Sequence, residues 1–165
     1  MLRVAIILGS LRPGRRGEPV AKWVYEIATK RSDAEFELVD VKDFNLPHLD
    51  EPMPPSLGQY TQPHTLAWAA KIDSFDAYIF VTPEYNHSTS GALKNAIDFL
   101  YREWNNKVAG FVSYGSVGGR GPSSTSGSLW LSCPSLPSEP RLRSRSSRTS
   151  RTSVSFSRER GRNER

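Results

Sequence analysis

The chain has 165 residues, enough for one domain with a substantial core, and a formal net charge of +5. Residues 120–165 hold 10 arginines and 3 acids, which leaves 12 basic and 14 acidic residues, a net of −2, in residues 1–119. The body therefore has no basic surplus to suggest a nucleic-acid partner; the single cysteine, Cys133, excludes an internal disulfide and suits a reducing cytoplasm; and no apolar run approaches membrane-spanning length.

Arg3–Leu8 is a continuous apolar, β-branched run ending at Gly9-Ser10, the pattern of a strand buried on both faces of a parallel sheet. Because this run begins at once, we expect no signal peptide, and the glycosylation sequon Asn86-His87-Ser88 is then idle. Glu18–Lys30 places Val20, Trp23, Val24 and Ile27 at the spacing of one helical face. Glu35–Val41 alternates apolar and polar residues, as a strand nearer the sheet edge does. After a proline-rich loop through Pro55, Thr61–Asp73 reads as a helix with Leu66, Ala69, Ala70 and Ile72 inward. Ala77–Val81 is a second fully apolar strand, Gly91–Trp104 a helix with Leu93, Ala96, Ile97, Leu100 and Tyr101 on one stripe, and Val108–Val112 the next strand. Strands alternating with helices over short connections predict a three-layer α/β sheet with right-handed crossovers.

In such sheets ligands sit beyond the carboxyl ends of the strands, where the strand order reverses. The first loop there, Gly9 to Gly17, offers the Ser10 hydroxyl, three guanidiniums (Arg12, Arg15, Arg16) and the positive end of a helix dipole. Those are the parts of an anion site, although a solvated arginine-rich turn would read the same way. Neither G-x-x-x-x-G-K-[ST] nor G-x-G-x-x-G is present, which disfavours a P-loop NTPase and a dinucleotide fingerprint and leaves a mononucleotide. The second loop, Thr82 to Gly91, is proline-stiffened and carries an aromatic and an amide that suit a planar heterocycle. Taken alone it also reads as a helix-capping turn, with Ser88 or Ser90 as the cap. His48, His64 and His87 lack metal-ligand spacing, so no metal site is expected, and His87 reads as a solvent-facing loop residue.

Together, Gly-Ser-x-Arg after the first strand, Pro-Glu-Tyr-Asn-x-Ser after the third and Leu-Lys-Asn-Ala-Ile-Asp in the next helix resemble the NADPH-dependent FMN reductase family, with its quinone, chromate and azo-dye reductase relatives. The resemblance covers residues 2–119. It implies a flavodoxin-like parallel sheet of order 2-1-3-4, bound FMN, and electrons taken from NADPH or NADH and passed to a small acceptor: a quinone, a flavin, an azo compound or a metal oxyanion. By the same resemblance Ser10, Arg12 and the Arg15-Arg16-Gly17 turn hold the FMN phosphate. Pro83, Glu84, Tyr85 and Asn86 line the isoalloxazine ring with Ser88 nearby, and Ser113-Tyr114-Gly115 closes the third side. No catalytic residue is named, because the flavin accepts hydride at its own ring. Relatives pair as dimers or tetramers. The alternatives are a flavodoxin-like FMN-binding electron carrier that does not oxidise NAD(P)H, and an interaction protein whose Arg/Ser tail binds a polyanion.

Residues 120–165 break the family pattern. Ser-, Arg- and Pro-rich, with no sustained period, they follow Val117-Gly118-Gly119 where the family begins another helix and a fifth strand. Such a stretch reads either as a disordered, lineage-specific extension or as the product of a shift of reading frame near residues 118–121. We expect the shift, because TCN serine codons read one base out of phase become codons for Phe, Leu, Ile or Val. On that reading residues 1–119 are an incomplete FMN-binding domain lacking the fifth strand. We expect disorder beyond Arg141, and the activity of the chain is put in doubt.

Overall fold

The computed structural model describes residues 1–115 and the strand Ser153–Phe156. Five strands form one sheet: β1 (Leu2–Leu8), β2 (Ala34–Asp40), β3 (Ala77–Pro83), β4 (Val108–Tyr114) and β5 (Ser153–Phe156), in the order β2-β1-β3-β4-β5. The first four run parallel, with Ile6 level with Leu38 on one side and Ile79 on the other, and Phe80 level with Phe111. Three helices connect them: α1 (Gly17–Ala28), α2 (Pro63–Asp73) and α3 (Gly91–Asp98). The chain leaves β1 toward β2 and returns to the other side of β1 as β3, so the order reverses between β1 and β3.

Strand alternation sorts the apolar side chains into two layers. Ala5, Ile7, Tyr78, Phe80, Ala109 and Phe111 face α2 and α3, where Trp68, Ile72, Leu93, Phe99 and Trp104 complete the larger core. Ile6, Leu8, Val81 and Val112 face the other way, toward Ala21, Val24 and Ala28 of α1. Each fully buried large aliphatic or aromatic side chain contributes roughly 1.5–3 kcal/mol, so the central strands β1 and β3 anchor the domain. The polar atoms of two large core aromatics are paired: the Trp68 indole N–H donates to the Ala96 carbonyl at 2.8 Å, and the Tyr78 hydroxyl reaches the Ile72 and Glu103 carbonyls at 3.0 Å each. No helix among the described residues is long and apolar enough to cross a membrane.

The order 2-1-3-4 stands as expected, and Glu35–Val41 is indeed the edge strand within one residue. Several details differ. In α1 the buried residues are Gly17, Ala21, Val24 and Ala28, while Trp23 and Ile27 are half exposed. A helix lying close on a sheet puts small residues at the line of contact and lets bulky ones flank it. In α2 Thr65, Trp68, Ala69 and Ile72 are buried, Ala69 and Ile72 as expected, whereas Leu66 and Ala70 face outward. Helix α3 ends at Asp98; Phe99, Leu100 and Trp104 keep the apolar pattern going because they enter the core from the helix end and from a separate 3-10 turn, Arg102–Trp104, set off by the break at Tyr101 (φ −136°).

The last difference is β5. No element is expected beyond Arg141, yet Ser153–Phe156 pairs antiparallel with β4, from Gly110↔Phe156 to Ser113↔Ser153. The short alternating segment Ser-Val-Ser-Phe suits an edge strand, and β4 offers it a row of open backbone donors and acceptors. The frameshift reading and Cys133 otherwise fall outside the described residues.

Helix α2 starts at Pro63 with no side-chain cap from Gln62, and Glu51 of the preceding loop anchors the two residues that lead into it. Its carboxylate takes the N–H of Thr61 at 2.9 Å and of Gln62 at 3.0 Å. Burial pushes this carboxyl up, but the bonds from Gln62 and Thr61 outweigh it and hold it down at about 2. A depressed carboxylate stabilises the fold above its unfolded value, about 4.3, and the contribution fades as pH falls toward 2. Urea unfolding should therefore show Glu51→Gln less stable than wild type at pH 7, with the gap closing as pH drops from about 4.3 to 2. A gap that stays constant over that window would mean that these bonds do not anchor the start of α2.

Candidate functional site at the carboxyl edge of the sheet

A buried polar knot fixes the ends of β1 and β3. The Gly9 N–H donates to the Val81 carbonyl at 2.9 Å, and the Ser90 hydroxyl donates to the Gly9 carbonyl. Ser90 Oγ also accepts the Leu93 N–H at 3.1 Å, so Ser90, and not Ser88, is the cap of α3. Thr82 and Thr89 share a hydroxyl bond of 2.7 Å beside it. Only glycine fits at position 9, since a Cβ there would lie 2.9 Å from Leu93 Cβ.

The first loop springs from this knot. Gly14, at φ +66°, lets the chain turn so that the Arg15 N–H reaches the Arg12 carbonyl at 3.1 Å. The Arg15 guanidinium is committed: Nη1 donates to the Ser10 carbonyl at 2.7 Å and to Asp40 Oδ1 at 2.9 Å, while Nη2 donates to Asp40 Oδ2. Hydrogen bonding to Asp40 raises its pKa further, against the cost of burial. Arg12 and Arg16 are exposed and form no ion pair among the described residues. Arg16 stands at the N-cap of α1 and offers it no side-chain acceptor. The opening turn of the helix therefore keeps unpaired N–H groups next to two free guanidiniums.

The second loop is a tight hairpin. Tyr85 and Ser88 exchange backbone bonds at 3.0 and 2.9 Å around Asn86 (φ 50°) and His87 (φ 61°). Glu84 is pinned from the third loop, its N–H donating to the Tyr114 carbonyl at 2.8 Å. Its side chain is only 8% exposed, with Oε1 3.5 Å from His87 Nδ1 and Oε2 without a hydrogen-bond partner among the described residues. His87 itself is 85% exposed, the solvent-facing loop residue expected. In the third loop Ser113 is buried, and the half-buried Tyr114 phenol meets the Ser10 hydroxyl; burial raises its pKa while Ser10 lowers it.

These loops enclose a cavity of about 250 Å³ lined by nine of the thirteen predicted residues: Ser10, Arg12, Arg15, Arg16, Pro83, Glu84, Tyr85, Tyr114 and Gly115. Pro13 and Gly14 complete its wall. Gly17, Asn86, Ser88 and Ser113 do not line it. Gly17 lies beneath Tyr114, Asn86 and Ser88 build the hairpin, and Ser113 is packed inside the sheet. The motifs had not pointed to Asp40 or to the Gly9–Ser90 contact. A carboxylate closing a parallel strand beside an arginine-rich loop was the available signal for Asp40.

The sequence model of the NADPH-dependent FMN reductases matches residues 2–129. The chain belongs to that family. It is 44% identical over 125 residues to an NAD(P)H-dependent FMN reductase of a Nectria species, covering 72% of this chain and 62% of the relative. It is 36% identical over 127 residues to an NAD(P)H:quinone oxidoreductase of Solanum tuberosum, covering 74% and 63%. The matched segment thus spans about three-fifths of these relatives' length. Among solved structures it resembles the flavoenzyme NAD(P)H:(acceptor) oxidoreductase FerB of Paracoccus denitrificans, with a TM-score of 0.67 at 27% identity over 86% of this chain and 78% of that one.

A Cβ at Gly17 would stand 2.5 Å from the Tyr114 hydroxyl and 2.7 Å from Leu8 Cδ1. Gly17→Ala should therefore cost about 1–3 kcal/mol in urea unfolding by overpacking this contact. Unchanged stability would mean that Tyr114 does not pack on the start of α1.

Proposed function

We propose that this chain binds FMN in the cavity and passes electrons from NAD(P)H to a small acceptor such as a quinone, a flavin, an azo compound or a metal oxyanion. The observation that carries the reading is the donor set. Arg12, Arg16 and Ser10 line the cavity, the two guanidiniums form no ion pair among the described residues, and the start of α1 beside them has no side-chain cap. Pro83 and Tyr85 of the second loop line the same cavity. A phosphate monoester carries about −1.5 to −2 charge at neutral pH, which two guanidiniums and a helix dipole match. The residues present fit the group.

Bound FMN would supply hydride acceptance and transfer at its ring, chemistry that asks the protein for position and electrostatics. Arg12 and Arg16 would neutralise the phosphate, and the Ser10 hydroxyl would donate a hydrogen bond to it. Pro83 and the backbone of Glu84 and Tyr85 would hold the ring edge, with Asn86 and Ser88 shaping the hairpin behind them. Tyr114 and Gly115 would close the far wall. The acceptor then approaches from the open side, beside the exposed Tyr85 ring. The single cysteine and the need for NAD(P)H agree with a cytoplasmic setting.

Purified chain should oxidise NADPH steadily when a quinone is added. Bound FMN without NADPH oxidation would favour the electron-carrier reading instead. Arg12→Ala should weaken FMN binding by about tenfold or more, the scale of a lost charge-assisted contact, while Lys22→Ala, which removes a partner of Glu18 on the exposed side of α1, should not. Equal FMN affinity in the two variants would remove the first loop from the site.

A further inference from the structure

Of the three arginines in the first loop, Arg15 differs from the other two. Its side chain is 13% exposed and that of its partner Asp40 is 15% exposed, and the pair is bidentate. Arg15 Nη1 also carries the Ser10 carbonyl. Asp40 is itself held in place: its Oδ1 accepts the Lys42 N–H at 3.0 Å in the turn Val41–Phe44 that follows β2. A continuous chain of hydrogen bonds therefore runs from the end of the edge strand, through Asp40 and Arg15, to the backbone of Ser10. Bidentate carboxylate–guanidinium pairs set geometry as well as contributing energy.

We propose that Asp40 is a positioning residue for the anion-binding loop, acting through Arg15, and that Arg15 serves the phosphate by fixing Ser10 and the turn Arg12–Arg15 rather than by touching the phosphate itself. This rests on the reading of the cavity as an FMN site. The pair is locally neutral, so the loop presents two net cations, Arg12 and Arg16, to a single phosphate monoester. Coulomb attraction and positioning predict opposite signs for the loss of the Asp40 charge. Removing a negative charge near an anion site tightens binding if charge alone matters. It weakens binding if the carboxylate is what holds the loop in shape.

Flavin fluorescence quenching separates these outcomes by comparing FMN with riboflavin, which lacks the phosphate. Asp40→Asn keeps the volume and the acceptor for Lys42 and should raise the Kd for FMN about tenfold while leaving riboflavin within about twofold. Arg15→Gln should lose as much, and the double variant no more than the larger single loss, because both substitutions break one interaction. Asp40→Glu should restore part of the preference. If Asp40→Asn does not fold, Arg15→Lys makes the same test, since an ammonium keeps the charge but cannot bridge both carboxylate oxygens and the Ser10 carbonyl. Its loss of FMN preference supports the proposal and its retention overturns it. FMN affinity that holds or tightens in Asp40→Asn while falling in Arg15→Gln overturns the proposal, because Arg15 then binds the phosphate directly. A wild-type chain that binds FMN and riboflavin alike overturns the phosphate-site reading, and the role of Asp40 with it. A wild type that prefers FMN beside an Asp40→Asn variant that still prefers it overturns only the latter.

Discussion

The carboxyl edge of this sheet depends on a hydrogen-bonded junction between the ends of β1 and β3. Gly9 gives its N–H to Val81 and its carbonyl to the Ser90 hydroxyl, and the same oxygen of Ser90 caps α3. Ser90 is 3% exposed and Thr82 wholly buried, so these bonds are made away from water, where an unmade one is expensive. The point where the strand order reverses would otherwise be an opening between two diverging loops. The junction turns it into a rigid floor, from which the arginine loop and the Tyr85–Ser88 hairpin rise on either side.

Above that floor the loops are coupled in pairs. Asp40 and Arg15 tie the first loop to the edge strand, Tyr114 presses on Gly17 and meets Ser10, and Glu84 is held by the Tyr114 carbonyl. Charge is distributed accordingly. The partly buried cation is neutralised within the protein, and the exposed ones, Arg12 and Arg16, form no ion pair among the described residues. A site organised this way offers attraction without collapsing on itself, since the guanidinium best placed to fold back is already occupied.

Much of this was legible from residue patterns, and the failures have physical causes. Continuous apolar runs marked β1 and β3, because a strand covered on both faces has no polar side to show. The three loops followed once parallel strands were accepted, and the family motifs singled out most of the cavity wall. The faces of α1 and α2 are legible in part: Val24, Ala69 and Ile72 are buried as their spacing predicts, whereas Trp23, Ile27 and Leu66 lie to the side and Ala21, Ala28, Thr65 and Trp68 take the inner positions. Helix α3 was overextended because Phe99, Leu100 and Trp104 continue its period after the helix has stopped. Asp40 was invisible as a site residue because its partner lies 25 positions away and outside any motif. The edge strand β5 was hidden by composition, four alternating residues within a long arginine- and serine-rich stretch.

The chain's own tail takes part in the sheet, so the test of the account should use the full chain. The most direct measurement is the visible absorption spectrum of the purified protein after incubation with FMN and desalting. A retained flavin band near one equivalent per chain is the predicted result, and it would mean that the junction at Gly9 and Ser90 holds the three loops in a binding arrangement. A colourless protein with a cooperative unfolding transition would contradict the account, because the fold would then be intact and the cavity would not be a flavin site.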